Sequence, residues 1–398
     1  MHDPSKPEFR PGNPGVMLDR GAAFIPGASE RTSAVAHAKP ARSLLIDIVR
    51  GISISLVALG HTNQGILHRG WWGTSSVGLE VDHFIYAFHM PAFFFVSGVF
   101  LLASVQRRGP AGFTGEKLRT ILYPYLFWAV LFALTPLLFG RFMEKGVPSL
   151  PFFLESVATG SASWFLPTIL FVVIMGMLLR RVPLPALFLL TSVASFTWPG
   201  VGLVYVDRGV QHLPFLVAGM WAGRRVERIE RLPAAAALIV AGVLAVVIAF
   251  ATSSRWVYSP YLFIPLGLLG TLMLLLIGRC LTRSVAASLL AWIGAGSLGI
   301  FLLSAYFQGG GRELLLFLFH TREPYLQLLF PTLLAILIPA WLYGNRVRLH
   351  IDWMFVWPFH HRLPTAPAGL HMASLTNNFA ASPEPPAQPP SRTPTVLE

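Results

Sequence analysis

Arg50 and His61 stand in one apolar stretch of this chain, Leu44–His61, eleven residues apart. Read as a helix, eleven steps of about 100° come to roughly 20° beyond three full turns, so both side chains share one face, about 16 Å apart along the axis. A guanidinium is a permanent cation whose planar fork suits carboxylate or phosphate. An imidazole takes and releases a proton near neutral pH. The pair offers a fixed positive charge near one membrane surface and a proton acceptor near the other. Ionisable groups at membrane depth are costly, so each is a functional candidate by default. A plainer reading stands beside this one: Arg50 snorkels to the headgroups with Asp47 three residues before it, and His61 is an interfacial residue.

A third such group, His89, follows Glu80-Val-Asp82-His83-Phe-Ile-Tyr-Ala-Phe and precedes Met90-Pro91. It is expected about two turns into the second helix. Pro91 frees a backbone carbonyl there that neighbouring groups must satisfy; His89 either contacts substrate or His61, or is a buried structural histidine bonded to a carbonyl. His83 and His89 do not share a helix face, and with no HExxH pattern no metal site is expected. Lys117 and Arg119 precede Tyr123-Pro124-Tyr125 at a helix mouth. They are either ordinary cytoplasmic charge or a phosphate site for a soluble anionic donor. The stretch from Gly109 to Lys117 lacks the Gly-Lys-Ser/Thr ending of a P-loop, which excludes nucleotide hydrolysis by that motif. Trp164, opening the fourth apolar segment, is a belt anchor or a stacking platform for a sugar ring.

The elements that must position these residues follow from composition. Of 398 residues, 54% are hydrophobic and 12% charged, with a mean hydropathy of +0.61. Soluble domains carry about 25% charged residues, so lipid is the expected solvent. One cysteine, Cys280, excludes an internal disulfide and a CxxC pair. The predicted fold is an all-α polytopic membrane protein of about ten transmembrane helices: Leu44–His61, His83–Ala103, Thr120–Phe139, Trp164–Leu179, Leu184–Trp198, Val210–Gly223, Ala234–Thr252, Tyr261–Ile277, Ala286–Phe307 and Tyr325–Tyr343. The fifth and sixth are short, and no strands are expected. Leu314–Phe319 is too short to span and reads as an interfacial helix, and Gly309-Gly310-Gly311 as a flexible outer turn.

Three regions result: a disordered cytoplasmic tail over 1–42, a transmembrane domain over 43–345, and a Pro/Ala-rich cytoplasmic tail over 346–398. No cleavable signal peptide is expected at Met1. On this scheme 22 of the 30 Lys and Arg fall on the cytoplasmic side, seven fall outside, and Arg50 lies within the first helix. That predicts N-in, C-in topology. It also accounts for the net charge of +12 without a nucleic-acid partner.

These pieces in this order resemble a known family. Asp47-Ile-Val-Arg50-Gly51, ten residues, then His61 looks like the Arg-x10-His signature of the bacterial acyltransferase-three family of membrane O-acyltransferases. His89-Met-Pro-Ala-Phe-Phe-Phe-Val-Ser97-Gly98 is similar to its second-helix motif, in the form of the fucose and enterobacterial-antigen O-acetylase branch. Arg119 with Pro124-Tyr125-Leu-Phe-Trp128, Ser163-Trp164-Phe165-Leu166, His212-Leu-Pro-Phe-Leu-Val-Ala-Gly219 and Trp292-Ile-Gly-Ala-Gly-Ser297-Leu match further blocks. Two departures stand out. The basic motif is Lys117-x-Arg119 rather than Arg-x-x-Arg, and the Gly-x-x-Ser-Leu block runs on to Ile300-Phe-Leu-Leu-Ser304 without a histidine.

The resemblance implies a multi-pass protein of the bacterial inner membrane. It would transfer an acyl group, usually acetyl, from cytoplasmic acyl-CoA to a hydroxyl of a glycan or lipid-linked sugar, with acetyl-CoA as co-substrate and no permanently bound cofactor. His61 would be the base or a transient acyl carrier, and Arg50 would orient the thioester. Lys117 and Arg119 would hold CoA phosphates, while His89, Trp164 and Asp82 would shape the acceptor pocket. The rival reading is a proton-coupled transporter or flippase of a glycan precursor; a membrane scaffold without chemistry is the third.

Overall fold

The computed structural model describes residues 43–139, 149–160, 163–253 and 260–358. The tail assignments over 1–42 and beyond 358 lie outside them. Among the described residues every regular element is helical: α1 (Leu44–His68), α2 (Val77–Tyr86), α3 (His89–Lys117), α4 (Tyr123–Phe139), α5 (Leu150–Thr159), α6 (Phe165–Leu178), α7 (Leu184–Thr197), α8 (Val204–Ala222), α9 (Ala234–Ser253), α10 (Pro260–Leu281), α11 (Ala286–Ala295), α12 (Ser297–Phe319) and α13 (Pro324–Gly344).

Five helical runs are long and apolar enough to cross a membrane: α1, residues 77–135, α9, α10 and α13. The second run has 59 residues, about 90 Å if straight, against a hydrocarbon core of about 30 Å. It does not run straight. Gly109 takes φ 70°, ψ 164°, a conformation open to glycine, and Pro110 restarts the helix there. A π-helical turn over Leu118–Leu122 then joins α3 to α4. Helices α5, α6 and α7, of 10, 14 and 14 residues, are apolar but shorter. The helices that meet both length and apolarity are thus fewer than the ten apolar stretches of the sequence.

Two expected single spans are broken. The second divides between Tyr86 and His89, so His89 opens α3 rather than standing two turns inside a helix. Pro91 explains the break: in a continuous helix it would lack the N–H for the Ala87 carbonyl and its ring would press on that carbonyl. Restarting at His89 puts Pro91 in a first turn, where N–H groups have no partner anyway. The ninth span breaks at Gly296 into α11 and α12, which meet at 84°. Helix α12 then continues unbroken to Phe319, so Gly309-Gly310-Gly311 is helical rather than a turn. Leu314–Phe319 is the end of α12 rather than a separate piece.

Helix α1 lies at the centre, packed by α2, α3, α10, α11, α12 and α13. Its approach to α11 is close enough to demand glycine on both sides. A Cβ at Gly51 would sit 2.1 Å from the Leu290 carbonyl oxygen, and one at Gly294 2.0 Å from that of Asp47. Such small-residue crossings are how helices gain packing where lipid removes the hydrophobic drive. Helix α9 is the opposite case, with only 17% of its apolar window covered by protein. Its Leu238, Ile239, Val243, Val246 and Phe250 point outward, as lipid-facing side chains must.

Past α13 the chain does not leave at once. Residues 346–358 fold back on α4: the Trp128 indole donates to the Met354 carbonyl at 3.0 Å, the Tyr123 hydroxyl to that of Trp353 at 2.7 Å, and Phe355 is buried.

Candidate active site

Arg50 sits on the buried helix α1 with its side chain about one-third exposed. Its Nη2 donates to Ser297 Oγ, the first residue of α12, at 2.9 Å, and Nη1 lies 3.9 Å from Asp47 Oδ1. Both the pairing with Asp47 and the tie to α12 therefore exist. Lys117 is half-buried at the end of α3, its ammonium 5.4 Å from the Phe113 ring and within electrostatic range of Arg50, Arg108 and Glu116. Arg108 is itself paired with Glu116. Beyond the kink at Gly109 the 110–117 segment packs through Phe113 and Thr114, whose hydroxyl donates to Met177 of α6. Arg119 is exposed on the π-helical turn.

Eleven residues along α1, His61 is open rather than covered by protein. Its Nδ1 lies 3.4 Å from the Tyr86 hydroxyl. Tyr86 in turn meets His89 edge-on, with ring centroids 4.7 Å apart. Asp82, one turn before Tyr86 on α2, shares the Gln64 side chain with His61, and its Oδ1 is buried without a partner. His61, Gln64, Asp82 and Tyr86 thus line one polar recess between α1 and α2.

His89 is buried, and its Nδ1 donates to the Ile85 carbonyl at 2.7 Å. That carbonyl lies at the α2–α3 break and also accepts from the Phe88 amide at 3.3 Å, so the ring fastens the start of α3 to the end of α2. The structural role of His89 is therefore real, while its contact with Tyr86 keeps it beside the recess. Trp164 packs against the cluster that holds Ile54, Val57, Ala58, Met90 and Phe93. Arg208 lies 5.8 Å over its ring, and His212 5.8 Å away.

Sequence reasoning did not single out Tyr86, Gln64 or Gln308, and it met His212 only as the head of a family block, with no role. His212 is buried, bonded through Nδ1 to the Arg208 carbonyl at 2.7 Å and packed on Phe94. Gln308 is buried and donates to the Ala58 carbonyl at 3.1 Å. With Ser297 it ties α12 to α1 at two levels. Tyr86 and Gln64 were findable: each stands three or four residues from a flagged group, on a face that a helical wheel brings together.

The arrangement places cations at one end of α1 and, at the other, an open imidazole with a hydroxyl, an amide and a carboxylate around it. A mainly apolar groove of about 660 Å³ between α1, α2 and α9 has none of these groups in its lining.

Comparison with known proteins bears on the same span. Residues 44–344 match the family model described as acyltransferase domain, the acyltransferase-three type. The chain is 36% identical to Nodulation protein NolL of Sinorhizobium fredii (strain NBRC 101917 / NGR234) over 154 residues, 38% of this chain and 39% of that protein. It is 36% identical to Nodulation protein NolL of Mesorhizobium japonicum (strain LMG 29417 / CECT 9101 / MAFF 303099) over 117 residues, 29% of each. The chain thus spans about two-fifths or less of these relatives. No solved structure matches. The family model covers α1 to α13, and the chain belongs to the acyltransferase-three family of membrane acyltransferases.

Proposed function

We propose that this acyltransferase moves an acyl group, acetyl in the first instance, from cytoplasmic acyl-CoA to a hydroxyl of a cell-surface or lipid-linked polysaccharide. The observation that carries the reading is the arrangement along α1. Arg50 stands at the end that Lys117 approaches, and His61 stands eleven residues on, open and ringed by Gln64, Asp82 and Tyr86. In this scheme Lys117 and Arg119 hold the CoA phosphates, Arg50 steers the thioester, and the pantetheine arm spans the ~16 Å between Arg50 and His61. In the same scheme the acceptor occupies the recess with Asp82 at its edge, and His89 and Trp164 shape the surrounding pocket.

The chemistry then needs one base. With His61 Nδ1–H donating to the Tyr86 hydroxyl oxygen, Nε2 is free to take the acceptor's hydroxyl proton. The acceptor oxygen attacks the thioester carbonyl carbon, the C–S bond breaks, and CoA leaves as a thiolate that regains a proton. An acyl-histidine intermediate is the variant of this scheme in which Nε2 attacks first. The distribution of Lys and Arg supports N-in, C-in placement with ten crossings in the bacterial inner membrane, α11–α12 and α2–α3 each counting as one broken crossing.

Broken crossings are also a transporter feature, which keeps glycan-precursor transport as the second reading. Free thiol separates the two. A transferase given acetyl-CoA and acceptor releases CoA, and His61→Ala abolishes the release while the protein stays folded. The companion experiment is NMR of surface glycans from a deletion strain complemented with wild type or His61→Ala. Restoration of an O-acetyl signal by wild type alone supports the reading. Unchanged O-acyl signals with precursor accumulating inside would replace it with transport.

A further inference from the structure

On the outer side of the recess stands a cation that the scheme above does not use. Arg312 lies within α12, one turn beyond Gln308, and its guanidinium rests against Gly65 of α1. A Cβ at Gly65 would sit 2.2 Å from Arg312 Nη2, 2.8 Å from Cζ and 3.0 Å from Nη1. Gly65 is one turn past His61, about 6 Å along the axis and about 40° around it. The guanidinium therefore borders the recess from the α12 side, as Asp82 and Tyr86 border it from the α2 side.

Arg312 Nε is buried without a partner, and the guanidinium feels both the Arg69 cation and the Glu313 carboxylate. The nearby carboxylate is already engaged: Glu313 pairs with Arg69 at 3.3 Å, and Arg69 also lies 5.1 Å over the Trp71 ring. A half-buried guanidinium resting on a glycine, with its Nε unpartnered and the nearest carboxylate shared with Arg69, is a costly thing to keep unless a further anionic group meets it.

We propose that Arg312 binds an anionic group of the acceptor, a carboxylate or a phosphate, and so seats the acceptor hydroxyl at His61. This rests on the acyl-transfer reading and narrows the acceptor to an acidic glycan or a diphosphate-linked sugar. The fork holds one end of the acceptor on α12. The nucleophilic hydroxyl is presented about one turn inward, where His61 faces the arriving acyl group.

The test uses the purified full-length protein in detergent with radiolabelled acetyl-CoA and three acceptors: an oligoglucuronate, the oligoglucose of equal length, and polyprenyl diphosphate-linked glucose. Wild type is compared with Arg312→Gln, Arg312→Lys and Gly65→Ala, the last displacing the guanidinium while keeping its charge. The expected result is that Arg312→Gln raises KM for a charged acceptor, relative to the neutral one, by about tenfold or more, as losing a charge-assisted hydrogen bond does. Arg312→Lys should fall between, Gly65→Ala should follow Arg312→Gln, and KM for acetyl-CoA should hold. A shift confined to the oligoglucuronate assigns the group to the sugar; one confined to the lipid-linked sugar assigns it to the diphosphate. Equal relative KM values for wild type and Arg312→Gln overturn the proposal. If wild type transfers acetyl to none of the three, the acyl-transfer reading is what fails, and calorimetric binding of the same compounds decides the site. Binding of a charged compound lost in Arg312→Gln upholds it, and no difference between the two proteins overturns it.

Discussion

The Tyr86 hydroxyl lies 3.4 Å from His61 Nδ1, across the packing of α2 on α1. Tyr86 is held in turn: its ring lies 3.0 Å from where a Cβ on Gly60 would stand, and it abuts His89 edge-on. An imidazole whose Nδ1 is engaged presents Nε2 in one orientation, which is what a base needs.

Tyr86→Phe keeps the ring and removes the hydroxyl. It should lower kcat about two- to tenfold, the worth of one net hydrogen bond, with KM for acetyl-CoA unchanged. His61→Ala should cost about 10²- to 10⁴-fold. Steady-state thiol release measures both, and a Tyr86→Phe enzyme with wild-type kcat would remove Tyr86 from the site.

Arg50 has two ties, to Ser297 and to Asp47. Arg50→Ala should raise KM for acetyl-CoA and lower kcat together, since it removes both the steering charge and the link to α12. Ser297→Ala should give a milder rise in KM alone, because the guanidinium keeps its charge and its Asp47 neighbour. Saturation curves against acetyl-CoA distinguish them. Equal effects of the two variants would point to the helix link rather than the cation.

At the α1–α11 crossing, Gly51→Ala places a methyl 2.1 Å from the Leu290 carbonyl oxygen, where backbone must move. The expected loss is about 1–3 kcal/mol, with Gly51→Leu worse. Thermal unfolding in detergent, followed by size-exclusion chromatography, reads it. Since Arg50 precedes Gly51, activity should fall faster than folded yield.

Much of this was legible in advance, for reasons that also explain the misses. The Arg50–His61 register follows from helix geometry alone, and α1 does run unbroken from Leu44 to His68. The apolar stretches mark where protein or lipid covers the chain. They carry no record of direction, because hydropathy is as high through Ala87-Phe88 or Gly296 as on either side. Pro91 did signal the first break, but a freed carbonyl fits either a kink or a restart. Gly309-Gly310-Gly311 failed in the other direction. Gly311 lets α12 pack on Pro331 of α13, so there glycine serves close approach rather than a turn. Arg312, which lies beyond the end of the predicted ninth span, is within α12 because that helix runs on to Phe319.

Asp207 offers a pH test away from the membrane interior. At the start of α8 its carboxylate accepts from the Trp198 indole at 2.8 Å and from the Val201 and Gly202 amides at 2.8 and 3.1 Å. The Trp198 bond, with the Val201 and Gly202 amides behind it, holds the carboxyl below the usual aspartate value. A depressed folded-state pKa stabilises above the unfolded value of about 3.9 and is lost as pH falls through the folded one. The melting-temperature gap between wild type and Asp207→Asn should therefore be flat from about pH 6 to 8 and close below about pH 4. A gap that widens on acidification would contradict the assignment.

The C-terminal fold-back predicts a construction limit. Ending the chain after Asn345 removes the carbonyls that Trp128 and Tyr123 use and uncovers Trp128, which is 2% exposed. The shortened protein should melt lower than one ending at residue 358, by thermal scanning of the two side by side.

Ser297 and Gln308 are also eleven residues apart, and they meet α1 at Arg50 and Ala58 in the same order along both helices. Two parallel rods fastened at two levels behave as a gauge. Substitutions within them change chemistry, but one inserted or deleted residue rotates everything beyond it by about 100° and shifts it by about 1.5 Å. His61 would then face a different neighbour while Arg50 stayed where Ser297 holds it. An insertion or deletion compatible with the site must therefore fall outside the gauge, and the distance between the two ends of α1 is a fixed dimension of this molecule.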